Sequence, residues 1–396
     1  MIEVEKLVKA YVAGGPNAVD EVSFTVEEGS FYTLVGPSGC GKTTTLRSIA
    51  GLERPTSGTI RLGGVPVHDG KYSVPTHQRD IGMVFQNYAV WPHMNVFDNV
   101  AFPLRAAAKQ SGKNVASGTM KERVARALDV VGLSGLENRM STQLSGGQQQ
   151  RLSFARAVVR EPAVLLLDEP LSNLDAKLRE RMRRDLKILH KELGITSLFV
   201  THDQVEALSM SDRIGVMSAG KIVQEGTPED VYHRPVNEFV ATFIGSTNLV
   251  RGTVIGVEGD IAVVDTSMGV IRGVAVGPAR TGEAVSLGIR PENIIVRASD
   301  RPEGHAGATV LPARVVIGLF AGSFTEYEVE VRGTRLNVRA NSLDMVDPSA
   351  EIVVELPVDV CRVFCGDDGK GGWSAPAPDD EEAVGQPTGS AVEAKA

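Results

Sequence analysis

Long apolar runs are missing from this sequence of 396 residues, and none approaches the roughly 18–20 residues that span a bilayer as a helix. The N-terminus, Met1-Ile-Glu-Val-Glu-Lys, does not read as a signal peptide. Any membrane role is therefore expected to be peripheral. Cysteine is scarce, at three residues, which excludes a disulfide-built scaffold and points to a reducing compartment. Cys361 and Cys365 flank Arg-Val-Phe without a nearby Cys/His pair to complete a zinc site, so they read as core thiols. His77, His93, His190, His233 and His305 are scattered and lack metal-ligand spacing. A positive excess is missing too. The net charge is −8, and from Asp367 onward seven acids face two lysines, leaving a nearly neutral body. Nothing here supports a nucleic-acid partner held by bulk electrostatics.

What the sequence does contain is a phosphate-cradling loop. Gly36, Pro37, Ser38, Gly39, Cys40, Gly41, Lys42 and Thr43 fit G-x-x-x-x-G-K-[ST]. The context also fits. Residues 31–35 form a short β-prone apolar run, and residues 43–50, from Thr43 and Thr44 onward, read as the opening turns of a helix. Strand, glycine-rich turn and helix start together aim backbone N–H groups and the positive end of a helix dipole at an anion. Lys42 would reach the β- and γ-phosphates of a nucleotide, and the Thr43 hydroxyl would bind Mg²⁺.

In chain order, residues 2–7 and 22–26 alternate as two half-buried strands. Tyr11 stands between them, suited equally to stacking on an adenine or to packing on the sheet. Residues 81–85 are a buried strand ending at Gln86, where open α/β sheets hold their ligands. Residues from about 87 to 160 read as an inserted helical subdomain. Within it, Leu144, Ser145, Gly146, Gly147 and Gln148 lead into a helix. Residues 163–167 are a fully apolar strand closed by Asp168 and Glu169. An acid at that point is the expected Mg²⁺-side partner of Thr43, and Glu169 stands where a general base would polarise water. Asp175 precedes a charged amphipathic helix. A last buried strand is expected at 197–200, ending at Thr201, His202 and Asp203. From about 248 to 364, short alternating segments (252–257, 261–264, 269–276, 284–289, 313–316, 326–331, 336–338 and 351–356) read as all-β, a small barrel or a pair of them. Residues 366–396 are acidic, lack apolar periodicity and read as disordered.

These motifs together resemble the ATPase subunits of ATP-binding cassette (ABC) transporters over about residues 2–240. Leu144-Ser-Gly-Gly-Gln148 is similar to that family's signature sequence, and the C-terminal part resembles the importer ATPases that carry oligonucleotide-fold-like barrels. The resemblance implies an α/β P-loop fold with an inserted helical subdomain in residues 1–240, a barrel domain in 241–365, and ATP and Mg²⁺ as cofactors. It further implies roles for individual residues. Tyr11 would stack on adenine, Gln86 would contact Mg²⁺ and the attacking water, and Asp168 would be the Mg²⁺-associated carboxylate. Glu169 would be the catalytic base, His202 the switch histidine at the γ-phosphate, and Asp175 part of the loop crossing the dimer interface. Ser145, Gly146, Gly147 and Gln148 would close on the ATP of a second copy in a head-to-tail dimer. Trp91 would touch a transmembrane partner. The implied partners are two permease subunits and, indirectly, a solute-binding protein, with the chain on the cytoplasmic face of a bacterial or archaeal membrane. Residues 243–248 and 322–327 look more like polyamine or ferric-iron importers than sugar importers, with a sugar or glycerol phosphate as the alternative. A DNA-repair or translation ATPase of the same class would show two cassettes or a long coiled coil, and neither is visible. A barrel protein using its ATPase only as a sensor fits poorly with an intact catalytic set.

Overall fold

The computed structural model describes residues 1–12, 14–111, 117–298, 305, 307–341, 346 and 351–366, so the acidic tail lies outside it. The two alternating N-terminal segments are β1 (Ile2–Ala10) and β2 (Asn17–Val26). They pair antiparallel and bury Ile2, Val4, Leu7, Val22, Phe24 and Val26 on one face. Their period of two is what a sheet with one wet face requires. β3 (Phe31–Val35) is buried at every position, as a central parallel strand should be. Next comes α1 (Lys42–Ala50), which starts after Gly41 and stops at Gly51 in the left-handed region. β4 (Ser57–Leu62) and β5 (Val65–His68) complete a four-stranded sheet in the order β2-β1-β4-β5.

The C-terminal end of α1 is held by a residue with no local motif. Arg79 is 2 % exposed, and its guanidinium donates to Ser48 O and Ile49 O of the last helical turn, and to Val74 O. Its charge faces the negative end of the helix dipole, and burial lowers its pKa to about 10.

β6 (Ile81–Val84) precedes the helical insertion of α2 (Val96–Ser111), α3 (Ser117–Val130) and α4 (Gly146–Val158). The chain returns through β7 (Val164–Asp168), α5 (Ala176–Leu193), β8 (Thr196–Thr201) and α6 (Gln204–Met210). It continues with β9 (Arg213–Ser218), β10 (Lys221–Gly226), α7 (Pro228–His233) and α8 (Glu238–Phe243). The central sheet runs β10-β9-β3-β8-β7-β6, parallel except for β10. The segment at 197–200 is thus not the last buried strand. β9 follows it and buries Ile214, Val216 and Met217 against β3. Gly215 interrupts its apolar run because a Cβ there would lie 2.6 Å from Tyr32 Oη.

The C-terminal part comprises β11 (Asn248–Glu258), β12 (Ile261–Thr266), β13 (Gly269–Val276), β14 (Ala284–Ile289) and β15 (Ile295–Ala298). β16 (Thr309–Phe320), β17 (Phe324–Val331), β18 (Thr334–Asn341), β19 (Ile352–Leu356) and β20 (Arg362–Phe364) follow. Five strands close a barrel, β11-β12-β13-β20-β14, and the others form a sheet in the order β15-β19-β16-β17-β18. Of the two expectations, a small barrel or a pair of them, one barrel forms and the remaining strands make a sheet. They share a single core that includes Val254, Ile271, Leu287, Val329, Leu336 and Val354. Arg290, just after β14, ties this unit to the cassette: its guanidinium stacks 3.8 Å from the Tyr232 ring centroid and donates to Tyr232 O at 2.8 Å.

Candidate nucleotide site

Strand order assembles the site. β3, β8, β7 and β6 are consecutive neighbours, with Val35 paired to Thr201, Asp168 to Val200, and Leu167 to Val84. Their C-terminal ends, one strand spacing of about 4.8 Å apart, present Gly36, His202, Glu169 and Gln86 along one edge.

The phosphate loop leaves β3 at Gly36, where a Cβ would lie 2.3 Å from Met217 O on β9. Gly41, at φ 106°, caps α1, and a Cβ there would lie 2.3 Å from Ala18 O. Only glycine allows this approach and this conformation together. Lys42 is 5 % exposed, and its ammonium donates to Gly36 O at 2.8 Å and Pro37 O at 3.0 Å, across the mouth of the loop. Cys40 is buried beside it; burial pushes its thiol pKa up, opposed most by the Lys42 charge, so it packs as a thiol. Ser38 and Gly39 are exposed at the loop tip.

Thr43 and Asp168 meet at the other side of the loop, the hydroxyl donating to Oδ1 at 3.4 Å. Burial raises the Asp168 carboxyl pKa; the Arg47 guanidinium, 3.7 Å from Oδ2, opposes this most, and Glu169 reinforces it. Two hard oxygen donors converging on one point suit Mg²⁺, which takes few protein ligands and completes its shell with water and phosphate. Arg47, one turn beyond Thr43 on α1, carries no motif and escapes a reading of the sequence alone.

Glu169 sits in the left-handed region at φ 43°, an uncommon conformation for a residue with a side chain. Its N–H donates to Val200 O, and its carbonyl accepts from the Ser172 hydroxyl. Its Oε2 lies 3.0 Å from His202 Nδ1, while the histidine is largely exposed. Tyr11 is 60 % exposed and its hydroxyl lies 3.2 Å from Thr44 Oγ1, so the ring stands over the loop rather than in the sheet core. Gln86 is exposed in the turn after β6, and its carbonyl accepts from Asn173 Nδ2 at 3.1 Å.

Ser145 caps α4 in a capping box. Its hydroxyl accepts from the Gln148 N–H, and Gln148 Oε1 accepts from the Ser145 N–H. Gly146 is exposed at this helix start, and Gly147 lies against Leu178, leaving room for no larger residue without displacement. Asp175 caps α5 through the Leu178 N–H at 2.9 Å. The α4 start, capped by a neutral hydroxyl, is electrostatically suited to an anion, whereas the Asp175 carboxylate already occupies the start of α5. Trp91 is half-buried, its ring tilted 47° against Phe102 with centroids 4.5 Å apart and lying beneath the Arg156 guanidinium.

Family models match residues 19–172 as an ABC transporter and 287–364 as a TOBE domain. The chain is similar to the "Spermidine/putrescine import ATP-binding protein PotA" of Rubrobacter xylanophilus, at 48 % identity over 79 % of this chain and 80 % of that protein. It is also similar to the "Fe(3+) ions import ATP-binding protein FbpC" of Rhizobium etli, at 44 % identity over 86 % and 92 %. Among solved structures, the ATP-binding cassette MJ0796, in a dimeric post-hydrolysis state bound to ADP and Pi, superposes with a TM-score of 0.50. It is 30 % identical, covering 58 % of this chain and 99 % of that one. The cassette cbiO1 from Clostridium perfringens gives 0.52 at 28 % identity, covering 58 % and 89 %. The chain belongs to the ABC transporter family, as an ATP-binding importer subunit with a C-terminal TOBE domain.

Proposed function

We propose that residues 1–240 form a nucleotide-hydrolysing cassette whose two copies sandwich two ATP molecules head to tail, with residues 241–365 as an appended barrel unit. The observation that carries this is the Glu169–His202 hydrogen bond at the sheet edge that also bears the phosphate loop. Lys42 and the loop N–H groups bind the phosphates; Tyr11 stacks on the base. Thr43, Asp168 and Gln86 would hold Mg²⁺, which when bound neutralises phosphate charge and orients the γ-phosphate. Glu169 takes the proton of the attacking water, and His202 fixes the Glu169 carboxylate and reaches the γ-phosphate. Ser145, Gly146, Gly147 and Gln148, with Asp175, complete the site of the opposite copy. Closure on ATP and opening after hydrolysis are a γ-phosphate-ordered switch.

The chain has no described helix long and apolar enough to cross a membrane. We place it against the cytoplasmic ends of two permease subunits, with Trp91 and the turn after Gln86 facing them and a solute-binding protein acting from the other side. The solute is a polyamine or ferric iron, in line with the import functions for which the two relatives are named. The test is Mg²⁺-dependent ATP hydrolysis by purified chain, followed by uptake of labelled spermidine and ferric iron in cells with and without the gene. Absence of hydrolysis overturns the enzymatic reading; unchanged uptake of both overturns the solute.

A further inference from the structure

The turn that follows Gln86 is strained, and a buried cation on a neighbouring helix braces it. Tyr88 and Ala89 are consecutive non-glycine residues in the left-handed region, at φ 56° and 47°. A side chain disfavours that conformation at each position, so the pair persists only if surrounding contacts impose it. Both ends of the segment are anchored independently of its middle. Gln86 O accepts from Asn173. At Trp91 the fully buried Asn99 accepts from the backbone N–H and donates to the carbonyl, which also accepts from Ser141 Oγ. The middle is held by two turn hydrogen bonds, Tyr88 N–H to Phe85 O and Ala89 N–H to Asn87 O, and from outside the turn by Arg156 of α4. Its guanidinium donates to Ala89 O at 2.5 Å and Tyr88 O at 2.8 Å and lies 4.6 Å from the Trp91 ring centroid.

Arg156 is 8 % exposed, and its hydrogen bonds among the described residues go to carbonyl oxygens and to no carboxylate. Burying an arginine against two carbonyl dipoles and an indole face costs desolvation, which its two hydrogen bonds and the ring contact offset. The same helix begins at the Ser145 cap, about 16 Å along its axis from Arg156 at 1.5 Å per residue.

We propose that Arg156 is a positioning residue for hydrolysis: it latches the strained Tyr88–Ala89 turn to α4, so that Gln86 and the Ser145–Gln148 helix start move as one unit. This rests on the catalytic reading of Gln86 given above. A displacement of α4 therefore carries the turn and Gln86 with it. Without the guanidinium, the two residues relax toward ordinary backbone angles and Gln86 keeps its Asn173 contact but loses its link to α4.

The latch makes a rescue prediction that simple packing does not. Glycine adopts positive φ at no steric cost, so Ala89→Gly should restore the turn where Arg156 is lost. Arg156→Met should lower ATP turnover by about tenfold, and adding Ala89→Gly should regain about threefold of it at equal thermal stability. Amide exchange over residues 86–91, read by mass spectrometry on the full chain, should speed up in Arg156→Met and slow again in the double variant. Turnover equal to wild type in Arg156→Met, or no recovery of exchange protection in the double variant, overturns the latch. A wild-type chain without ATPase activity overturns the catalytic reading instead, and the exchange measurement then decides the latch separately.

Discussion

Glu169 Oε2 and His202 Nδ1 stand 3.0 Å apart although 33 residues separate them. They meet because β7 and β8 run parallel with Asp168 opposite Val200, so the residues just beyond the two strand ends become neighbours. Glu169→Gln keeps the shape and removes the base. ATP turnover should fall by a hundredfold or more, about the range seen when a positioned general base is lost. ATP binding should persist, so the variant should accumulate as an ATP-loaded dimer in size-exclusion light scattering. Hydrolysis at the wild-type rate would remove Glu169 from the mechanism.

Tyr11 presents an exposed ring beside Thr44, and the base would lie on its face. Tyr11→Ala should raise the KM for ATP about tenfold, the equivalent of one lost aromatic stacking contact, while Tyr11→Trp keeps it near wild type. A KM that does not distinguish the two variants would assign the ring to solvent.

Arg79 joins the last turn of α1 to the start of β6, and its loss removes the side-chain donor from Ile49 O and Val74 O and leaves Ser48 O only the Gly51 N–H. Arg79→Met should cost about 3 kcal/mol of stability, in line with removal of a buried charged donor from several acceptors. Urea denaturation measures this, and a midpoint within error of wild type would contradict it.

Asp212 gives a pH dependence with a definite sign. Burial would raise its pKa, but the Phe31 N–H at 2.8 Å and the Lys187 ammonium at 3.0 Å outweigh it and hold the carboxyl below its ordinary value. A depressed folded-state pKa stabilises the fold above the unfolded-state value, near 4 for about any free Asp, and this contribution disappears as pH falls through the folded value. Thermal unfolding of the wild type should therefore lose stability more steeply below about pH 4 than Asp212→Asn does. Parallel pH profiles for the two would refute the assignment.

The motifs were legible because their chemistry is local. A phosphate loop, a capped glycine-rich helix start and an apolar strand closed by two acids each fit within eight or so consecutive residues. The helical insertion and most C-terminal strands were legible from periodicity. β9, β15 and β20 were not, since each is short or interrupted by glycine or charge. Arg79 and Arg156 were invisible for another reason. Nothing in a linear sequence marks an arginine as buried when its partners are backbone carbonyls 30 or 67 residues away.

By itself, then, the sequence determined which groups are available: a glycine-rich loop of phosphate-cradling pattern, a carboxylate pair, a histidine at a strand end and a tyrosine ahead of the loop. The tertiary structure decided that they share one edge. That outcome rests on the order β3-β8-β7-β6, which follows from crossover helices packing on both faces of a parallel sheet rather than from any spacing along the chain. It also decided that the second C-terminal unit is a sheet and not a barrel. Closure there would require hydrogen bonds between β15 and β18, whereas β20 leaves that unit to close the first barrel between β13 and β14.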